Sequence, residues 1–149
     1  MKIAIGSAHG GFELKGEIHK YLSENGYEVK DFGTYSTDSC DYPDYGVKVA
    51  EAVAAKECEF GILICGTGIG ISIAANKVPG IRAALCSDTF SAHATREHND
   101  ANILAMGARV VGPGLALDIV KTFLSAKFEG DRHINRINKI SEIEKKYSK

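Results

Sequence analysis

Residues 62–76 read ILICGTGIGISIAAN: an apolar run, a cysteine, three glycines at alternate positions, and a tail with helical character. Four to six apolar residues in a row suit a strand covered on both faces, and the glycines suit a tight loop that turns the strand into a helix. That makes the stretch one βα unit of a parallel sheet. Its chemistry is open at this point, because the glycines suggest a phosphate cradle and the cysteine suggests covalent or proton-transfer work.

Outward from this unit the same alternation repeats. Apolar strand segments are expected at 2–6, 27–32, 60–65, 82–86, and 103–106 with 110–111. Helices are expected at 12–24, from Pro43 to about residue 56, at 69–76, 89–97, 115–126 and 135–147. Asn25-Gly26 stops the first helix, Ser87-Asp88 offers an N-cap, and Pro43 and Pro113 suit first helical turns. No repeat, linker or low-complexity tract interrupts the pattern, so residues 1–149 form one domain. Alternating βα units give a doubly wound α/β fold, a five-stranded parallel sheet with helices on both faces. The expected strand order is the flavodoxin-type 2-1-3-4-5. Its switch point lies between strands one and three, and ligands bind there at the strands' C-terminal ends. The loops at 6–11 (GSAHGG) and 65–70 (CGTGIG) follow those two strands.

Composition narrows the function classes. The 149 residues carry 18 Lys and Arg against 19 Asp and Glu, a net charge of -1, which argues against nucleic acid or an anionic membrane as partner. No apolar run approaches the roughly 20 residues of a membrane span, and the N-terminus reads as a first strand rather than a secretion signal. A cytoplasmic location is expected. Cys40, Cys58, Cys65 and Cys86 form no C-x-x-C pair, so neither a zinc ribbon nor a disulfide framework is expected. Cys40, Cys58 and Cys86 read as small buried hydrophobes.

The glycine loop fails the familiar cradles. A dinucleotide fingerprint starting at Gly66 and Gly68 needs glycine at position 71, and a cysteine phosphatase needs arginine six residues after Cys65. Both requirements fall on Ile71. No Gly-Lys-Ser/Thr run offers a P-loop. What remains is a thiol at a strand end followed by backbone N–H groups, an arrangement that favours thiolate and stabilises a developing oxyanion. Elsewhere, EHNDAN (97–102) places His98 and Asn99 beyond a helix, and GDRHINRI brings Arg132 and Arg136 four residues apart. Two guanidiniums on one face can grip a phosphate. Arg109 is a further candidate cation and His9 follows strand one at the switch point, as a site residue or a satisfied core histidine, while the His93–His98 spacing of five fits no pair of metal ligands. No metal or other cofactor is expected.

Together IAIGSAHGGFELK, DYPDYG, ILICGTGIGISIAANKVPGIRAA, EHNDANILAMGAR and F-E-G-x-R-H-x-x-R resemble the B-type ribose-5-phosphate isomerase family over nearly the whole chain. That family also holds the allose- and galactose-6-phosphate isomerases. The resemblance implies a cofactor-independent aldose–ketose isomerase of the pentose phosphate pathway, with ribose 5-phosphate and ribulose 5-phosphate as substrates. It implies a homodimer, with room for a tetramer, whose two sites lie at the subunit interface, and the helix at about 135–147 is a candidate to pack on the partner. By the same resemblance Cys65 is the base, beside Thr67, and the loop from Gly66 through Gly68 to Gly70 is the oxyanion hole. His98 opens the furanose ring and Asn99 touches the enediolate oxygens. His9, Arg109, Arg132 and Arg136 hold the phosphate, and Tyr42 lines the sugar. The family takes His98, Asn99 and Arg109 from the partner subunit. One departure stands out: Ala8 occupies the place where the family usually has Asp, which either leaves ring opening resting more heavily on His98 or loosens selection at that end of the sugar.

Overall fold

The computed structural model describes residues 1–148. Five parallel strands form one sheet: β1 (Lys2–Ser7), β2 (Glu28–Asp31), β3 (Phe60–Cys65), β4 (Ala83–Leu85) and β5 (Ile103–Gly107). Six α-helices accompany them: α1 (Phe12–Glu24), α2 (Tyr42–Ala54), α3 (Ile69–Ala75), α4 (Thr89–Asn99), α5 (Pro113–Ser125) and α6 (Arg132–Tyr147). Among the described residues no helix is long and apolar enough to cross a membrane.

Period-two alternation divides the sheet residues between two cores. Ile3, Ile5, Ile62, Ile64, Leu104 and Met106 pack against Leu14, Ile18 and Leu22 of α1 and Ile119, Val120 and Phe123 of α5. Ala4, Leu63, Ile103 and Ala105 face Val49, Ala50 and Val53 of α2 and Ile71 and Ala75 of α3. Each such fully buried aliphatic side chain contributes roughly 1.5–3 kcal/mol. The second face is lined with small residues, and α2 uses the space. A Cβ added at Gly61 would lie 2.7 Å from Val49 Cγ1, and one at Gly6 2.8 Å from Val49 Cγ2.

The switch point falls between β1 and β3 as expected, but the outer strands are exchanged. The order is β2-β1-β3-β5-β4, not 2-1-3-4-5. β5 is buried along its whole length, whereas β4 is three residues long with Leu85 exposed, so the longer apolar strand takes the interior and the short one the edge. Handedness then sorts the helices. The β3-to-β4 crossover moves outward and puts α3 beside α2; the β4-to-β5 crossover moves back and puts α4 beside α5 on the opposite face.

Other boundaries shift for local reasons. Residues 110–111 are not strand: they lie in the turn that closes on Gly107, with Val110 N–H bonded to the Gly107 carbonyl. His98 and Asn99 belong to the last turn of α4, which Asp100 ends in the left-handed region at φ 47°. Arg96 secures that turn from inside, bonding Asp100 Oδ1 at 2.8 Å and the Ala101 carbonyl at 2.7 Å. α6 begins at Arg132, three residues before the expected start.

Candidate active site

Cys65 ends β3, and the chain beyond it curls under its own thiol. Gly68 donates its N–H to Cys65 Sγ at 3.1 Å, and Ile69 donates to Thr67 Oγ1 at 3.2 Å. The curl is pinned to the end of β5, where Ala108 N–H bonds the Cys65 carbonyl and Arg109 N–H the Gly66 carbonyl. It also needs Gly68, which sits at φ +81° with Met106 and Leu85 packed against its α-carbon. Cys65 is only 7% exposed, and that exposure opens on a cleft.

The cleft has a volume of about 440 Å³, within the usual range for small ligands. His9 enters it from a single 3-10 turn after β1. Its Nδ1 accepts the Cys40 N–H at 3.2 Å, which leaves the proton of the neutral ring on Nε2 as a donor. Tyr42 opens α2 and lays its ring on the loop: a Cβ on Gly70 would come within 2.5 Å of Tyr42 Cζ. Arg109 lies over Gly66, its Nε 3.6 Å from where a Cβ would stand. A second hollow of about 340 Å³ adjoins, sharing His9, Gly10 and Arg109. Ala8 lines the cleft with a methyl group beside His9, so no carboxylate reaches in from that position.

Arg109 therefore stands on the cleft of its own chain, where the resemblance implied a contribution from the partner subunit. The local turn accounts for this, because the Gly66–Arg109 backbone bond holds the arginine directly above the glycine loop.

The remaining candidates gather elsewhere. His98, Asn99, Arg132 and Arg136 do not line the Cys65 cleft. In a parallel sheet each helix runs against the strands, so α4 starts at the edge where Cys65 sits and ends at the opposite one. Eleven residues at 1.5 Å each put those ends about 16 Å apart. α5 also ends on the far edge, and α6 crosses it: the Gly80 N–H, in the loop before β4, bonds both Glu144 carboxylate oxygens. There His98 stacks on His133, with ring centroids 4.5 Å apart and an interplanar angle of 19°. The early start of α6 puts Arg132 and Arg136 one turn apart beside this pair, both exposed.

Two residues of this far cluster were not singled out as site candidates from sequence, Glu129 and His133. The signal available was their i,i+4 spacing in FEGDRH, next to the arginine pair. His98, Glu129 and His133 each bring one potential ligand atom within 4.8 Å of the others. The near-parallel rings aim their in-plane lone pairs side by side, not at one point, and Arg132 and Arg136 add positive charge nearby.

Two of the other thiols, away from the cleft, are quiet. Burial pushes Cys86 up to about 11, with the Asp88 carboxylate adding to it, and burial also raises Cys58. Both are protonated at neutral pH and unsuited to nucleophilic work.

Residues 3–140 match the model of the ribose/galactose isomerase family. Ribose-5-phosphate isomerase B of Escherichia coli is 55% identical over 145 residues, 97% of each chain. The structure of ribose-5-phosphate isomerase B from Clostridium thermocellum superposes with a TM-score of 0.99 at 66% identity, covering 99% of this chain and 100% of that one. A D-erythrulose-4-phosphate isomerase of Pectobacterium atrosepticum is 43% identical over 97% of this chain and 95% of its own.

Proposed function

The chain is an isomerase of the ribose/galactose isomerase family, and from that premise we infer that it interconverts ribose 5-phosphate and ribulose 5-phosphate through an enediolate, with Cys65 as the base. The observation that carries this reading is the placement of Cys65 Sγ within a curl of backbone N–H groups, at the floor of a cleft rimmed by His9 and Arg109. A hydrogen alpha to a carbonyl is weakly acidic, so removing it requires stabilisation of the growing negative charge on the carbonyl oxygen. The amides from Gly66 to Gly70, with Thr67, supply donors for that oxygen. His9 and Arg109 take the phosphate on this edge, and its binding energy orients C1 and C2 at the thiol. Tyr42 closes one wall beside the sugar.

His98 opens the furanose, Asn99 contacts the enediolate oxygens, and Arg132 and Arg136 complete the phosphate grip, all from a second copy of the chain. The separation of the two edges supports this assembly, since one chain cannot fold its own His98 onto its own Cys65. Ile69, Ile73, Leu85 and Phe90 supply an exposed apolar surface next to the cleft for the partner to cover.

The test begins with ribose 5-phosphate in EDTA, following ketose formation. Cys65→Ala abolishes turnover and leaves sugar-phosphate binding in place; normal turnover by that variant would overturn the base assignment. A mixture of Cys65→Ala and His98→Asn chains, each inactive alone, regains activity after subunit exchange. Random pairing makes half the dimers mixed, each with one intact site of two, so about a quarter of wild-type activity returns. No recovery would refute the shared site. The runner-up substrates are hexose 6-phosphates, and the Pectobacterium relative adds a four-carbon sugar phosphate. Rates across four-, five- and six-carbon phosphates, repeated on Ala8→Asp, rank them.

A further inference from the structure

His98 is half-exposed, yet its ring is held from two sides. One face lies on His133, and its Nε2 looks at Glu129 Oε1 across 4.0 Å. The same carboxylate oxygen is 3.4 Å from His133 Nε2. His133 is 5% exposed, and its Nε2 makes no hydrogen bond within the described residues. On the other side of that ring, Nδ1 lies 3.5 Å from Arg136 Nη1, which can only donate. The proton of the neutral ring therefore sits on Nε2, turned towards Glu129. Burial holds His133 below the ordinary imidazole range, Arg132, His98 and Arg136 push the same way, and Glu129 alone opposes them. So His133 is neutral at pH 7. Glu129 is itself placed by its N–H bond to the Glu97 carbonyl at the end of α4.

A buried imidazole with an unmet donor costs stability that a leucine in the same space would not. Packing alone gives no reason for a histidine there. Placed under His98 and beside a carboxylate, it has a use.

We propose that Glu129 and His133 are positioning residues for His98, fixing the orientation of its imidazole for opening the sugar ring. This rests on the isomerase reading above. Ring opening moves protons only: one leaves the anomeric hydroxyl, the C1–O4 bond breaks, and one arrives on O4, with nothing oxidised or reduced. A half-exposed imidazole free to rotate would have to be ordered each time substrate binds. Stacking on a buried neutral ring, with a carboxylate at the nitrogen edge, orders it beforehand. The cyclic and open forms of substrate then separate this role from the Cys65 step.

The experiment compares two reactions in Glu129→Gln, His133→Leu and Glu129→Asp. One is conversion of ribose 5-phosphate, which enters as a furanose and needs opening. The other is exchange of solvent deuterium into ribulose 5-phosphate, whose C5 oxygen is esterified so that it cannot form a furanose; this reports enolisation alone. Glu129→Gln, at a half-exposed site, and His133→Leu are expected to slow conversion about tenfold or more. Exchange should stay within about twofold of wild type, and Glu129→Asp should recover part of the loss. Equal losses in both reactions, a loss in exchange only, or no loss in either would overturn the proposal. A wild-type protein inert in both reactions would refute the isomerase reading itself, and this proposal with it.

Discussion

Alanine at Gly68 meets two obstacles that the structure allows to be counted separately. The residue sits at φ +81°, where an L side chain costs about 1–2 kcal/mol. Its Cβ would also stand 2.6 Å from the Met106 carbonyl carbon and 2.6 Å from Leu85 Cδ1. Leu85 can turn aside, but the Met106 backbone belongs to β5, so relieving that contact displaces the strand beneath the loop. Overpacking of this kind costs about 1–3 kcal/mol. Together they predict a loss of about 2–5 kcal/mol for Gly68→Ala. With a urea slope of about 2 kcal/mol per molar, the midpoint falls by about 1–2.5 M. Gly66, two residues earlier, is the internal control. Its Cβ would meet only the Arg109 side chain at 3.6–3.7 Å, an ordinary contact with a movable group. Gly66→Ala should therefore stay within about 1 kcal/mol of wild type. Urea unfolding followed by circular dichroism measures both. Equal stability of the two variants would show that β5 does not hold the loop in the way described.

Two further predictions concern groups away from the loop. Cys86 keeps its proton in the folded chain up to about pH 11, whereas the unfolded thiol loses it near 9. Between those values the folded state binds the extra proton, so stability falls as pH rises, by about 2–3 kcal/mol in all. Cys86→Ala should flatten that alkaline decline in urea midpoints taken from pH 8 to 11, and an unchanged slope would refute the assignment. Lys15 is 2% exposed and pairs with Asp31 at 2.7 Å while also donating to the Thr34 carbonyl. Lys15→Met leaves both acceptors without their cation, which costs about 2–3 kcal/mol. A thermal midpoint within a degree or two of wild type would contradict it.

The sequence exposes the elements of this fold more readily than their arrangement. The helix at 12–24 and the strand at 60–65 match the structure residue for residue, because Asn25-Gly26 and the glycine loop end them abruptly. The order of the outer strands was not legible, since AAL and ILAMG are both simply apolar. What sorts them is that β5 is long enough to be bonded on both sides and β4 is not. The Cys65 cleft was readable because its lining comes from contiguous loops at the switch point. The cluster around His98 depends on α6 crossing the far edge of the sheet, and no local pattern announces that. His133 beneath His98 is a contact between residues 35 apart in sequence, made by a loop turn at Gly130 (φ +72°).

The exchanged strands also set an order of events as the chain is made. β4 pairs only with β5, while β5 pairs with both β3 and β4. When Ala83–Leu85 leaves the ribosome it has no sheet neighbour, and β3 presents an unpaired edge until Ile103–Gly107 has followed. A nascent chain halted before that point holds three strands, a bare hydrogen-bonding edge, and Ile62 and Ile64 short of their cover from β5. That intermediate is the stage at which this sequence is most open to pairing with another chain's strand or to capture by a chaperone.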